Sequence, residues 1–78
     1  MKKADFILLL KDALEIDSNT EMDEATDITT LEEYDSLAVL SIIALIDEHF
    51  NKRIPGNQFQ NVTTIKSLLD IIGMENFE

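Results

Sequence analysis

The chain is expected to be all-α, a small bundle of three main helices and one short one. Three observations lead there. One proline and two glycines among 78 residues leave little material for the turns that many short strands would need. Apolar residues recur at i, i+3 and i+4 in three separate segments instead of alternating. An apolar content of 45% suffices for one core and sets the chain apart from disordered segments. At this length a single domain spanning residues 1–78 is expected, close to the lower size at which one core can suffice. There is no cysteine, so neither a disulfide nor a thiolate metal site reinforces it.

The first helix is expected from about Ala4 to Glu15, with Phe6, Leu9, Leu10, Ala13 and Leu14 on one face. Asp17 to Thr30 reads as a long polar connection in which Met22 and Ile28 are the anchors into the core. A connection of this length is uncommon in a compact domain and points to a function or a long crossover. The second helix should begin at Ser36 and end near Phe50, with Leu40, Ile43, Ile46 or Asp47, and Phe50 as its inner stripe. Asn51 and the basic pair Lys52-Arg53 suit its C-terminus. Ile54-Pro55-Gly56 breaks the pattern, and Asn57 to Gln60 fits a single short turn. Thr63 or Thr64 should cap a last helix carrying Ile65, Leu68, Leu69 and Ile72, stopped by Gly73.

The formal net charge of −10 repels nucleic acid and anionic lipid and favours partners with basic docking surfaces. Neither a nucleic-acid partner nor membrane insertion is expected, and the chain should be a monomer, loosened by its own repulsion and tightened by salt. Lys2-Lys3 precede the apolar run Phe6–Leu10, but Lys11 and Asp12 close that run too soon for a signal peptide or a membrane span. A cytoplasmic protein is the expectation.

Ser36 stands out, set between Asp35 and Leu37 where an acidic loop meets an apolar helix. A hydroxyl there can simply cap the helix, as can Asp35. In a chain so poor in other reactive groups, it also reads as an attachment point for a prosthetic group. Catalysis is not expected. His49, the only histidine, lies thirteen residues along the same helix, roughly 20 Å away at 1.5 Å per residue, so a Ser-His-Asp triad cannot form. Asp17 to Asp23 mimics the first ligands of a calcium loop, but Met22 stands where glycine is needed and Ile28 where glutamate is needed. No metal site is expected. The remaining rival is an acidic helical adaptor without any prosthetic group, with Ser36 as a cap.

With these residues in view, the chain resembles the acyl carrier protein family over nearly its whole length. The resemblance rests on Asp35-Ser36-Leu37, on Asp47-Glu48 and Phe50, on Ile54-Pro55, and on Val62-Thr63-Thr64-Ile65. It implies a non-enzymatic carrier in which a phosphopantetheinyl transferase attaches 4′-phosphopantetheine from coenzyme A to Ser36, with Asp35 and Leu37 completing the motif. The arm's thiol would hold an acyl or aminoacyl group as a thioester and present it to loading and transferring enzymes. D-alanyl and peptidyl carriers share the architecture, so aminoacyl cargo stays open.

Departures from the family pattern shape the rest. Bulk fatty-acid carriers usually have a glycine shortly before the motif, where this chain has Glu33 and Tyr34, and acidic residues where it has Ala38 and Ser41. A specialised carrier, serving for example lipid or polysaccharide modification, follows from that resemblance. Ala38, Ser41, Leu45 and Glu48, with Asp47, are expected to form the partner-docking stripe, Leu45 being an exposed apolar anchor. Ala44, Ile54, Phe59 and Val62 are expected to border the cargo pocket, with a large Phe59 and a small Ala44 exchanged relative to the family and Phe59 shortening the cavity.

Overall fold

A computed structural model describes all residues 1–78. Three α-helices form, α1 (Lys3–Ala13), α2 (Ser36–Phe50) and α3 (Ile65–Ile72), with 3₁₀ turns at Ile28–Thr30, Gly56–Asn61 and Met74–Asn76. This is the all-α bundle read from the sequence, the Gly56–Asn61 turn being its short fourth element.

Helix α1 ends two residues earlier than expected, and its terminus is unusual. The Ile16 N–H donates to the Lys11 carbonyl at 2.8 Å and the Glu15 N–H to the Asp12 carbonyl at 3.2 Å. Glu15 takes the left-handed conformation, with φ of 58°, that this paired closure normally reserves for glycine. The turn carries Ile16 into the core.

The long connection is laced to the start of α3. Ile28 donates to the Thr63 carbonyl at 2.8 Å, Ile65 to the Thr26 carbonyl at 3.1 Å and Lys66 to the Glu24 carbonyl at 2.9 Å. Along it, Asp17, Asp23 and Asp27 each accept from the amide two residues on, which satisfies the backbone locally. Ile28 is fully buried and Met22 partly so, both against the core. The connection is therefore a crossover held by α3, which accounts for its length.

Thr64 is the cap of α3, and it forms a reciprocal capping box with Ser67. Ile65, Leu68, Leu69 and Ile72 are all fully buried. Gly73 ends the helix at φ of 110°, a conformation that L side chains rarely adopt. Phe6, Phe50 and Phe77 form a mutual cluster with ring centroids 5.3 to 5.9 Å apart. Such tilted pairs add about 0.5–1.5 kcal/mol each beyond area burial.

Helix α2 has the expected limits, and Ile43, Ile46 and Phe50 of the expected stripe pack in or against the core, but the inward face is rotated away from Leu40. Ala38, Ile42, Leu45 and Ile46 are buried, whereas Leu40, expected inside, is 61% exposed, and Ile43 and Phe50 are only half-buried. The physical reason is that α2 is apolar on almost every side. Periodicity within the helix cannot set its rotation, and contact with α1 and the Gly56–Asn61 turn sets it instead.

Candidate functional site

The entrance of α2 is built by Asp35 and Ser36 with separate roles. Asp35 has extended backbone, and its side-chain Oδ1 accepts the Ala38 N–H at 2.8 Å while its carbonyl accepts the Val39 N–H at 3.1 Å. Asp35 is thus the cap. Ser36 is the first helical residue, exposed, and its hydroxyl makes no hydrogen bond within the protein. The N–H groups of Ser36 and Leu37 also find no acceptor in the chain. A free hydroxyl therefore stands beside two unpaired amides at the positive end of a helix dipole, where a phosphodiester would be stabilised. The residues present fit a phosphopantetheine arm, and the cap of the helix is supplied by the neighbouring Asp35.

The loop that delivers Ser36 is anchored by Tyr34, which packs against the core. Burial pushes its phenol above the ordinary value. His49 lies exposed in the last turn of α2, at the far end from Ser36. No group of three or more His, Cys, Asp or Glu side chains is placed to hold a metal ion.

Two open cavities line the seam between α1 and α2, which run antiparallel. One, of about 400 Å³, is bordered by Ala13, Leu14 and Glu15 from the end of α1, by Glu33, and by Asp35, Leu37, Ala38 and Ser41 at the start of α2. The second, of about 450 Å³, shares Ala13 and Ser41 and continues towards Glu48 and His49. Sequence reasoning missed Glu15 and Glu33 here, because they come from two turns that periodicity does not bring together.

The structure corrects two expectations about neighbouring residues. Ala38 and Leu45 turn into the core, Leu45 being only 8% exposed, so Ala38, Ser41, Leu45 and Glu48 are not one outer stripe. With Ile42 facing the core, the residues that turn outward are Leu37 (71% exposed), Leu40 and Ala44, and near the helix end Glu48, with Asp47 half-buried. Ile54, Phe59 and Val62 are buried together in the core, but Ala44 is exposed and lines the α1 seam beside Leu9 and Ala13. Ala44 thus borders the α1 seam, while Phe59 belongs to the buried cluster.

A family model described as the phosphopantetheine attachment site matches residues 5–72. Comparison with curated proteins and with solved structures returns no match. The match runs from the first turn of α1 to the end of α3 and includes Ser36, and from it the chain belongs to the acyl carrier protein family, whose cofactor is 4′-phosphopantetheine.

Proposed function

We propose that Ser36 is the attachment residue and that the chain carries an acyl or aminoacyl intermediate to partner enzymes without catalysing a reaction itself. The observation that supports this best is the division of labour at the α2 entrance, with the Ser36 hydroxyl free and exposed while Asp35 caps the helix. In the loading step the Ser36 oxygen bonds to the β-phosphorus of coenzyme A and the pyrophosphate P–O bond breaks. Adenosine 3′,5′-bisphosphate leaves, and the hydroxyl proton passes to a base on the transferase. The arm supplies a thiol, which this cysteine-free chain lacks, for thioester formation. The chain's own residues hold the attachment point at a fixed helix end, offer two amides to the phosphodiester and keep the site open to partners.

The docking face follows from the observed rotation of α2. Leu37, Leu40 and Ala44 form an exposed apolar row at i, i+3 and i+7 beginning beside Ser36, with Asp47 and Glu48 at its far end. Transferase and cargo-handling enzymes with an apolar groove and a basic margin would fit it. The apolar character of this row suits a specialised pathway rather than bulk fatty-acid synthesis, with the carrier acting as a cytoplasmic monomer.

Intact mass spectrometry tests the proposal. Incubation with coenzyme A, magnesium and a broad-specificity phosphopantetheinyl transferase should add one phosphopantetheine to the wild-type chain and none to Ser36→Ala. An unmodified wild type beside a modified control carrier would overturn it.

A further inference from the structure

We infer that residues 23–30, the second half of the long connection, form a detachable strap that opens as one piece and is clasped to α1 by the Lys3–Glu24 ion pair. This holds whatever Ser36 carries.

The strap has a shape of its own. Asp23 and Asp27 each accept the amide two residues on, the Thr26 N–H donates to the Asp23 carbonyl at 3.1 Å, and the Asp23 N–H donates to the Thr26 hydroxyl at 2.9 Å. These bonds lie within the segment, so lifting it away leaves its turns intact.

Its attachments run to three places. The Ile65 and Lys66 N–H groups belong to the first turn of α3, where a helix offers no acceptor, and they donate to the Thr26 and Glu24 carbonyls. The Ile28 N–H donates in return to the Thr63 carbonyl. In the core the strap places one fully buried side chain, Ile28. On α1, Lys3 Nζ lies 2.9 Å from Glu24 Oε1, an oxygen closed off from water although both side chains are partly exposed. Glu24 thus serves two helices at once, its carbonyl holding α3 and its carboxylate holding α1. No backbone hydrogen bond joins the strap to α1 or α2.

The spacing makes the opening cooperative. Glu24, Thr26 and Ile28 alternate along one extended edge, so the three bonds to α3 and the buried anchor sit on a single short piece of chain. That piece has one fully buried residue, whereas α3 has four, and release returns backbone freedom to the whole segment. Its opening therefore lies below unfolding of the core. Past the strap, Tyr34 packs against the core and Asp35 caps α2, so the Ser36 end of the helix keeps an anchor of its own.

Native-state hydrogen exchange of the full chain, followed by NMR at low urea concentrations, tests this. After correction for intrinsic rates, the Ile28, Ile65 and Lys66 amides should share one opening equilibrium with a small urea dependence. They should exchange more readily than Ile42 and Ile46 of α2, whose opening exposes the whole core and depends steeply on urea. Glu24→Gln and Lys3→Met should each speed all three amides by one common factor, roughly 1.4- to 5-fold. The two variants shift net charge in opposite directions, so a matched effect belongs to the ion pair. Three amides with unequal openings would mean that the bonds break singly, and a urea dependence equal to that of Ile42 and Ile46 would mean that no separate strap exists. Either result overturns the strap, and unchanged rates in both variants overturn the clasp.

Discussion

Replacing Asp35 and Ser36 separately should reveal which of them holds the α2 entrance and which is free for chemistry. In Asp35→Ala the Ala38 amide loses its partner at 2.8 Å and the helix loses a negative charge at its positive end. Removal of such a cap typically destabilises by about 1 kcal/mol, within a range of about 0.5–2. For 78 residues, an unfolding entropy of about 2.1 cal/mol/K per residue turns 1 kcal/mol into a fall of about 6 °C in Tm. Ser36→Ala removes no hydrogen bond from an exposed position, so its change should stay within about 0.5 kcal/mol, or about 3 °C. Asp35→Asn keeps an acceptor for Ala38 and should fall between them. The measurement is thermal and urea unfolding by circular dichroism at moderate salt, because relief of repulsion in a chain of net charge −10 would otherwise offset the loss in both Asp35 variants. A loss in Ser36→Ala equal to that in Asp35→Ala would refute the assignment of roles. It would return Ser36 to a structural cap.

Other substitutions follow from the same geometry. Glu15→Gly should stabilise by about 0.5–1 kcal/mol, since relief of a left-handed L residue outweighs the added chain entropy of glycine; an unchanged or lower urea midpoint would contradict the strain. Leu45→Ala should destabilise by about 2–5 kcal/mol while Leu40→Ala changes stability by about 0.5 kcal/mol or less, and equal effects would mean that α2 is rotated otherwise. Leu40→Ala should instead weaken binding to a cognate enzyme by about 1–2 kcal/mol, measured by titration calorimetry with the loaded carrier. For Tyr34 the folded value lies above the unfolded 10.0, so the unfolded chain releases its proton first. Its contribution is then fully present below about pH 10 and is lost as pH rises through the folded value. Phenolate absorbance of folded protein, titrated against a Tyr34→Phe control, should show a midpoint above that of the denatured chain.

Much of this fold was legible because its signals are local. Asp35 and Thr64 cap by contacts within one turn, Gly73 stops α3 by its own backbone freedom, and the Ile65–Ile72 stripe points one way because its other face is polar. The motif around Ser36 is local too, so the attachment candidate and the limits of α2 could be read directly from residues 35–50. The rotation of α2 could not, because Leu37, Leu40, Ile43 and Leu45 are equally apolar and only contact with α1 and the Gly56–Asn61 turn distinguishes them. That single rotation moved Leu45 from docking surface to core and Ala44 from cargo pocket to the α1 seam. The end of α1 escaped for a related reason. Glu15 occupies a glycine conformation because burial of Ile16 and closure of the turn outweigh its backbone preference, and that balance exists only once the core has formed. The acidic groove beside Ser36 likewise exists only through packing, since Glu15 and Glu33 are eighteen positions apart and meet where α1 ends against the start of α2.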